Sequence, residues 1–298
     1  MTRTIDIGVC TYRRPAVAMT LASLAALELP PDVRVRIIVA DNDSEPSARP
    51  LVEASARTHG LDLAYVHAPA RNISLARNAC LDAATADFLA FIDDDETAAP
   101  GWLAALLAAA DVTGSDAVLG PVNAVYAEDA PGWIAAGDFH STRPAPSRGR
   151  IVKGYAGNVL IRRETVRRLG LRFDLALGRQ GGEDDQFFYH LTDAGGTIGY
   201  APQALAWEPV PPARASLKWL LKRSFRTGQT HAARLRALHR GPARGGQLAL
   251  AGAKACVCLA GAATALPSAV GRGRWLVRGA LHAGVAARLA GLKPLELY

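Results

Sequence analysis

The sequence lacks the short motifs by which several common enzyme classes are identified. It contains no G-x-x-x-x-G-K-[ST] loop, no G-x-G-x-x-G turn and no G-x-S-x-G turn. These absences argue against a P-loop NTPase, a classical dinucleotide oxidoreductase and an α/β-hydrolase. The seven histidines include no H-x-x-x-H pair, so the sequence assigns no zinc site.

Cysteine is also scarce, and the four cysteines are Cys10, Cys80, Cys256 and Cys258. They show no paired metal-ligand spacing, and we interpret them as reduced thiols of a cytoplasmic protein rather than as disulfide partners. The chain enters a strand-like run at residues 5–10 almost at once, which predicts that no signal peptide is present.

Acidic residues are almost absent from residue 209 onwards. Residues 209–298 hold 15 lysines and arginines and one acid, Glu296, whereas residues 1–208 hold 19 basic and 26 acidic residues. A segment that is both basic and apolar favours an anionic membrane surface or a phosphate-bearing lipid. Nucleic acid is not expected as a partner, because we find neither interleaved exposed aromatics nor a known motif. We therefore expect a peripheral protein at the cytoplasmic face of the inner membrane.

The first part of the chain alternates two hydrophobic periods, which predicts an α/β fold. Short β-type apolar runs lie at residues 5–10, 36–40, 61–67 and 88–92, with helical patterns at residues 15–27, 50–58 and 74–84 between them. Such alternation over short connections predicts a mostly parallel sheet between helices. Ligands bind such sheets at the carboxyl ends of the strands, and the polar clusters of this chain follow its apolar runs.

The remainder predicts less regular structure and then a helical tail. We predict strands at 118–126 and 159–162, a helix at 184–194, and a loop at 131–150 that is either a lid on a substrate site or a surface excursion. Helical patterns at 216–239 and 271–293 enclose an apolar stretch at 247–269. That stretch is long enough to span a bilayer, but its alanines, glycines and lysine favour a helix in the membrane interface or against the catalytic domain.

Three consecutive aspartates, Asp93, Asp94 and Asp95, follow the apolar run at 88–92. Their mutual repulsion at neutral pH calls for a nearby cation or a bound proton. A divalent hard metal would supply that charge, because it takes oxygen ligands and bridges to phosphates. Strand alternation would direct Asp93 and Asp95 to one side and Asp94 to the other. A solvated acidic turn is the alternative interpretation.

Other charged residues are candidates for the same site. Glu183, Asp184 and Asp185 begin a predicted helix, where they either complement the helix dipole or supply a general base. Asp41 could bind a base or ribose, although Asp-Asn-Asp-Ser is also a favourable turn sequence. Arg77 could bind a diphosphate with both arms of its guanidinium or pair with the strand-end carboxylates.

Taken in order, five segments resemble the family 2 glycosyltransferases of the GT-A fold, most nearly their bacterial exopolysaccharide branch. Each segment is short, but the order of the five is specific, and the resemblance covers residues 1–230. The segments are residues 7–15 (IGVCTYRRP), 38–44 (IVADNDS), 72–78 (NISLARN), 91–96 (FIDDDE) and 182–185 (GEDD).

The resemblance implies an inverting glycosyltransferase that uses Mn²⁺ or Mg²⁺ and a nucleotide-diphospho-sugar donor, with a UDP-sugar as the first choice. The implied acceptor is a hydroxyl of a lipid-linked intermediate or polysaccharide. The implied catalytic domain covers residues 1–212, with a nucleotide-binding half at 1–112 and an acceptor half at 113–212. Residues 213–298 form the basic, apolar helical tail. This chemistry requires a base, an activated leaving group and a metal to take its charge.

The motif positions also imply roles for single residues. Asp184 is the expected catalytic base, and Asp95 is the expected metal ligand. The residues expected to bind the donor nucleotide are Thr11, Tyr12, Arg13, Asp41, Arg77, Asp93 and Asp94. The residues expected to contact the acceptor or to support the site are Glu183, Asp185, Trp102 and Glu208.

The sequence departs from the family pattern in two places. Processive members carry a Q-x-x-R-W segment, whereas residues 226–230 here read RTGQT, which favours single addition. Glu208 stands roughly where many members have a histidine that binds metal or diphosphate. Two alternatives are a non-catalytic membrane scaffold, against which the intact acids argue, and a sugar-phosphate nucleotidyltransferase, against which the lack of glycines in the turn after the first strand argues.

Overall fold

A computed structural model describes residues 2–295 of the chain. Its strands and helices follow the predicted alternation closely over the first hundred residues. In chain order the elements are β1 (Arg3–Thr11), α1 (Val17–Ala25), β2 (Val33–Asp41), α2 (Arg49–His59), β3 (Leu63–His67), α3 (Ile73–Ala83), β4 (Phe88–Ile92), β5 (Thr97–Ala98), α4 (Trp102–Thr113), β6 (Ala117–Leu119), β7 (Val122–Val125), α5 (Gly132–Gly137), β8 (Asn158–Arg162), α6 (Arg163–Leu169), α7 (Glu183–Asp193), β9 (Ile198–Tyr200), β10 (Ala206–Pro209), α8 (Leu217–Leu238), α9 (Gly241–Thr264) and α10 (Ala269–Leu289).

The chain folds into two compact units. The first unit contains residues 1–124, 141–179 and 183–209, and the second contains residues 125–140, 180–182 and 210–298. Three segments that the sequence assigned to the catalytic domain, 125–140, 180–182 and 210–212, therefore belong to the second unit. The assignment of residues 1–112 to the nucleotide and of residues 113–212 to the acceptor stays a prediction.

Seven strands of the first unit form its main sheet, in the order β3-β2-β1-β4-β8-β6-β9. The first four strands of that order run parallel to one another, as do β6 and β9, while β8 runs antiparallel to both of its neighbours. A smaller sheet has the order β5-β10-β7. The predicted α/β fold with a mostly parallel sheet is thus confirmed.

Both faces of the main sheet are buried, which explains why its strands read as unbroken apolar runs. Along β2, Ile37 and Val39 belong to one core together with side chains of α1, α2 and α4. Ile38 and Ala40 of the same strand belong to a second core together with side chains of α3 and α7. Since consecutive strand residues point to opposite faces, a strand between two helical layers needs apolar residues at every position.

Asp6 is a charged exception within β1, with 1% of its surface exposed. The Arg36 guanidinium donates to both carboxylate oxygens, at 2.7 and 3.0 Å. The backbone amides of Thr85 and Ala86 donate to Asp6 Oδ2 at 2.7 and 3.0 Å. Burial acts to raise the pKa of Asp6, but Arg36 and the two amides lower that pKa by more, so the carboxylate stays ionised.

The predicted elements differ from the observed ones between residues 118 and 150. The strand expected at 118–126 is broken into β6 and β7 at Gly120 and Pro121. A side chain at Gly120 would lie 2.5 Å from the Asn158 amide, and Pro121 has no N–H to donate to a ladder. The loop expected at 131–150 contains the short helix α5, whose Ile134 is fully buried.

The second unit contains α5, α8, α9 and α10, and the predicted helical tail is confirmed. Ser216 is the N-cap of α8, and its side chain accepts a hydrogen bond from the Trp219 amide. Helices α8 and α10 approach closely because glycines lie where they meet. A Cβ atom at Gly228 would lie 2.0 Å from the Leu281 carbonyl oxygen, and the corresponding contact at Gly284 leaves equally little space.

Replacing Asp6 by asparagine is expected to lower the free energy of unfolding by about 2–4 kcal/mol, because the Arg36 guanidinium loses its charge partner in a buried setting. Urea denaturation at neutral pH measures the loss. The matched control is Asp82→Asn, because Asp82 and Arg172 pair on the surface and such pairs contribute about 0–1 kcal/mol. An equally small loss in both variants would contradict a structural role for Asp6.

Candidate active site

The carboxyl ends of β1, β2 and β4 lie side by side and carry the predicted polar clusters. Thr11 ends β1 and is the register partner of Asp41, which ends β2. Asp93 comes directly after Ile92, the last residue of β4. The parallel sheet therefore gathers three segments that are far apart in sequence at the edge where such sheets bind ligands.

The three aspartates form a turn after β4 and do not continue the strand. Thr11 Oγ1 donates to Asp94 Oδ2 at 2.7 Å. Arg14 Nη1 lies 2.7 Å from Asp94 Oδ1 and 2.8 Å from Asp95 Oδ2. Asp94 and Asp95 thus share one guanidinium, while Asp93 pairs with a different arginine. The expected alternation, with Asp93 and Asp95 on one side, is wrong because a turn does not keep the period of a strand.

That second arginine is Arg77, which is 5% exposed on α3. Its Nη1 lies 2.8 Å from Glu183 Oε1 and 2.5 Å from Asp184 Oδ1, and its Nη2 lies 3.5 Å from Asp93 Oδ1. Burial lowers the pKa of Arg77, but these carboxylates raise that pKa by more, so the guanidinium stays charged. The predicted contact between Arg77 and a diphosphate is therefore corrected. Its guanidinium is buried among protein carboxylates, which was the alternative interpretation.

Asp184 lies in the first turn of α7, with 22% of its side chain exposed. Arg77 holds one carboxylate oxygen, and the Ala156 amide donates to the other at 3.1 Å. Burial raises the pKa of Asp184 above the usual range, and the charges of Glu183 and Asp93 act in the same direction against Arg77. A carboxylate that is fixed at both oxygens and has a raised pKa is suited to accept a proton.

The two neighbours of Asp184 have different surroundings. Glu183 is 8% exposed, and its Oε2 has no hydrogen-bond partner among the side chains and backbone groups of residues 2–295. Asp185 pairs with Lys153, whose Nζ lies 3.3 Å from Asp185 Oδ1. All three acids lie in the first turn of α7, where the helix dipole favours negative charge.

Negative charge is in excess around the turn after β4. Burial raises the pKa of Asp94 to about 6 even though Arg14 lowers it. Glu96 is 3% exposed, and burial together with the charges of Asp93 and Glu208 raises its pKa well above the usual value. Carboxyl groups in such surroundings are stabilised either by protons or by a bound cation.

These carboxylates fit a divalent cation that takes only part of its ligands from the protein. Hard cations prefer carboxylate oxygens, and Gly157 leaves space beside two of them. A Cβ atom at Gly157 would lie 2.6 Å from Glu96 Oε1 and 3.2 Å from Asp93 Oδ2. Within residues 2–295, no three His, Cys, Asp or Glu side chains form a ready metal cage. An ion held by one or two carboxylates together with substrate phosphates and waters needs no such cage.

Tyr12 and Arg13, which were expected to bind the donor nucleotide, lie in the turn after β1. Arg13 adopts a left-handed backbone with φ of 52°, and its Nε donates to Asp43 Oδ2 at 2.8 Å. This contact holds the pKa of Asp43 well below its usual range. The guanidinium carbons of Arg13 and Arg71 lie 5.4 and 5.6 Å from the centre of the Tyr12 ring. A partly exposed ring flanked by two guanidiniums is suited to a nucleobase or a phosphate.

Asp41 does not face this surface, because it is 0% exposed. Its Oδ2 accepts from the Tyr65 hydroxyl at 2.6 Å and from the Ala48 amide at 2.8 Å. Its Oδ1 accepts from the Asp43 amide at 3.0 Å. Asp41 therefore shapes the turn after β2, and the expected direct contact between Asp41 and the nucleotide is corrected.

Trp102 and Glu208 were both expected to support the acceptor side. Trp102 is 0% exposed, and its Nε1 donates to Asn158 Oδ1 at 2.8 Å in the core. A side chain without exposed surface cannot contact an acceptor, so the expectation of acceptor contact is corrected, and a supporting role for Trp102 stays a prediction. Glu208 lies in β10, partly exposed and close enough to Glu96 to raise the pKa of Glu96. A role for Glu208 at the metal or diphosphate stays a prediction.

Two residues of the site were missing from the predicted set, namely Arg14 and Glu96. Each extends a motif that the sequence already showed. Arg14 follows Arg13 in Tyr-Arg-Arg-Pro, and Glu96 completes Asp-Asp-Asp-Glu. The doubled arginine and the fourth acid were the available signals, since an exposed cation beside a run of acids is a natural counter-charge.

Comparison with known proteins agrees with this geometry. The family model described as Glycosyl transferase family 2 matches residues 6–170 of the chain, which is more than half of it. The chain is a family 2 glycosyltransferase. The enzyme is 54% identical over 294 residues to the succinoglycan biosynthesis protein ExoM of Rhizobium meliloti (strain 1021), with 99% of this chain and 95% of that protein covered. It is 30% identical over 204 residues to a pre-mycofactocin glycosyltransferase of Mycobacterium tuberculosis, with 65% and 41% covered.

Two solved structures, one of them a mannosyltransferase, have a similar fold. The mannosyltransferase PcManGT from Pyrobaculum calidifontis, in complex with GDP-Man and Mn²⁺, matches with a TM-score of 0.63 at 23% identity, covering 97% of this chain and 88% of that one. Residues 1–349 of S. aureus TarS match with a TM-score of 0.54 at 20% identity, covering 75% and 64%. At these identities the likeness shows that the glycosyltransferase shares its fold with both proteins.

Replacing Arg77 by methionine is expected to lower the free energy of unfolding by about 3–5 kcal/mol at neutral pH, because buried carboxylates lose their guanidinium. Acid protonates those carboxylates, so the difference from the unmodified enzyme should shrink as the pH falls. Urea denaturation over a range of pH measures this trend. Arg172→Met, at a surface ion pair, is the control, and a loss for Arg77→Met that does not vary with pH would contradict the charge network.

Proposed function

We propose that this glycosyltransferase moves a sugar from a nucleotide-diphospho-sugar to an acceptor hydroxyl with inversion, in exopolysaccharide synthesis. The observation that carries the proposal is the buried Arg77 guanidinium, which contacts Asp93 at the donor end and Asp184 at the base position. The biosynthetic role is extended from the name of the Rhizobium meliloti relative, at 54% identity over almost the whole chain.

Asp184 acts as the general base in this proposal. As the acceptor oxygen forms a bond to the anomeric carbon, its proton passes to an Asp184 carboxylate oxygen. The bond from that carbon to the diphosphate breaks, and the nucleoside diphosphate leaves with the electron pair. Attack opposite the leaving group inverts the configuration. The contacts of Asp184 with Arg77 and the Ala156 amide orient the carboxylate before the acceptor arrives.

The donor end is formed by the turns after β1 and β4. Tyr12 and Arg13 are proposed to bind the nucleotide, and Asp93 to face its ribose. Arg14 brings positive charge next to Asp94 and Asp95. A bound Mn²⁺ or Mg²⁺ at Asp95 would neutralise charge that develops on the leaving diphosphate. UDP-sugars are the first donors to test, followed by GDP- and dTDP-sugars.

Replacing Asp184 by asparagine is expected to reduce kcat by about 10²–10⁴-fold, because the base is lost while the side chain keeps its shape. Donor turnover with Mn²⁺ or with EDTA measures kcat and its dependence on metal. Calorimetry measures donor binding separately. For the unmodified enzyme, kcat should fall on acidification at a pH above the usual aspartate pKa of about 4, since the raised pKa protonates the base early.

The control variant is Glu53→Gln, at a surface ion pair of α2, and Glu183→Gln tests whether the neighbouring acid is the base instead. Full activity of Asp184→Asn would remove Asp184 from the mechanism. If the unmodified enzyme neither binds nor turns over any nucleotide-sugar, the proposed function itself is wrong.

We also propose that the tail lies on an anionic membrane surface, as a lipid-linked acceptor would require. By length and composition α9 could cross a membrane. Only 17% of its most apolar 18 residues are buried, so the helix is not part of a protein core. Its buried stripe is Ala251, Cys258 and Ala262, whereas Val257 and Leu259 are 63% and 61% exposed. An apolar surface of this kind marks an interaction site.

The charge of the tail selects the kind of partner. Residues 209–298 carry 15 basic residues and one acidic residue, so a second copy of the tail would repel the first. In α10, Arg274 and Arg278 are exposed and line a groove of about 560 Å³ together with Phe139 and Trp275. Basic side chains beside exposed apolar ones match the headgroup region of an anionic bilayer. Packing of α9 against the arginine-bearing α10 favours a position in the interface over a span.

Replacing Val257 and Leu259 together by glutamate is expected to abolish flotation of the full-length enzyme with vesicles that contain anionic phospholipid, because both added charges oppose insertion. Binding of the unmodified enzyme should weaken with salt and be low on zwitterionic vesicles. The control is Val112→Glu, which changes an 87% exposed valine of α4. Unchanged flotation of the double variant would rule out α9 as the membrane contact.

A further inference from the structure

The segment just before the catalytic helix α7 is held by helix α8 of the tail. Residues 180–182 and α8 belong to the same compact unit. The Arg226 guanidinium of α8 donates from Nε and from Nη2 to the Gln180 carbonyl oxygen, at 3.0 and 2.7 Å. Two charge-assisted hydrogen bonds on one carbonyl oxygen fix both its position and its direction.

The next two residues are glycines that this contact requires. Gly181 and Gly182 have φ angles of 80° and 95°, which L side chains rarely adopt. A Cβ atom at Gly181 would lie 1.8 Å from Arg226 Nη2, and one at Gly182 would lie 2.5 Å from Thr230 Cγ2. The segment therefore lies against α8 with no space for side chains, in a conformation for which glycine is suited.

This part of α8 is the stretch 226–230, which replaces the signature of processive enzymes. Arg226 holds the Gln180 carbonyl, and Gly228 allows the close approach of α10. The Gln229 side chain donates to the Lys293 carbonyl at 3.0 Å and accepts from the Leu295 amide at 2.8 Å. The stretch thus binds backbone groups of its own chain.

The position of the held segment matters for the chemistry. Gly182 is followed directly by Glu183, the first residue of α7, and then by Asp184. Two consecutive glycines form a flexible connection, so the contact on the Gln180 carbonyl adds a backbone restraint just before the first turn of α7, whose acids Arg77 and the Ala156 amide also hold. A catalytic group displaced by about 1 Å can cost up to about 10²-fold in rate.

We propose that Arg226 is a positioning residue for catalysis, which fixes the Gln180–Gly182 segment and through it the first turn of α7 with its base. This inference rests on the proposed role of Asp184. It gives the basic tail a part in the chemical step in addition to any contact with membrane.

The test compares Arg226→Ala, Arg226→Lys and Gln180→Ala in the full-length enzyme. Arg226→Ala should lower kcat by about tenfold with donor KM and Tm unchanged, because the base is displaced while the donor end stays intact. Arg226→Lys keeps one donor to the carbonyl and should restore part of kcat. Gln180→Ala keeps the carbonyl and should match the unmodified enzyme, as should Lys222→Ala, which removes an exposed positive charge from the same helix.

A double-mutant cycle measures the coupling in kcat between Gly181 and Arg226, which a purely structural role of Arg226 would not change. Gly181→Ala forces a clash with the Arg226 guanidinium, so its cost in kcat should be smaller when Arg226 is already alanine. Unchanged kcat in Arg226→Ala, or equal losses in Lys222→Ala, would overturn the inference. A parallel fall of kcat, donor affinity and Tm without rescue by lysine would also overturn it. Asp184→Asn, measured alongside, separates a failure of this inference from a failure of the proposed function. Full activity of Asp184→Asn would remove the proposed base itself.

Discussion

The contact between one buried guanidinium and three carboxylates determines how the active site is assembled. Asp93, Glu183 and Asp184 come from the turn after β4 and from the start of α7, and without a cation they would repel one another. Arg77 on α3 contacts all three. A buried charge of this kind is tolerated only with close partners, so the same contact that neutralises the carboxylates also sets the distance between the turn after β4 and the first turn of α7.

The two arginines of the site differ in what they can do next. Arg14 has 41% of its side chain exposed while it pairs with Asp94 and Asp95, so it can exchange a carboxylate for a phosphate oxygen when a donor enters. Arg77 is buried and has no such freedom. Arg14 is therefore placed where an arriving ligand could reach it, and Arg77 holds together the carboxylates of the protein itself.

The sequence predicted the sheet and the location of the site because both depend on local pattern. Apolar runs between helical patterns identify strands buried on two faces, and polar clusters after them mark the ligand edge. Whether a motif residue faces ligand or protein depends on distant neighbours. Asp41 accepts a hydrogen bond from Tyr65 of another strand, and Trp102 donates one to Asn158 of β8. The break at Gly120, and the inclusion of residues 180–182 in the second unit, likewise follow from contacts with remote segments.

The small side chains through which α9 packs on its own unit have a consequence for the energetics of the tail. The buried stripe of α9 consists of Ala251, Cys258 and Ala262, whose side chains are small and bury little apolar area. Local opening of α9 therefore costs far less than global unfolding, and its amide hydrogens should exchange with water early. On the proposed membrane surface, the order of this helix would depend on that surface as much as on its own chain.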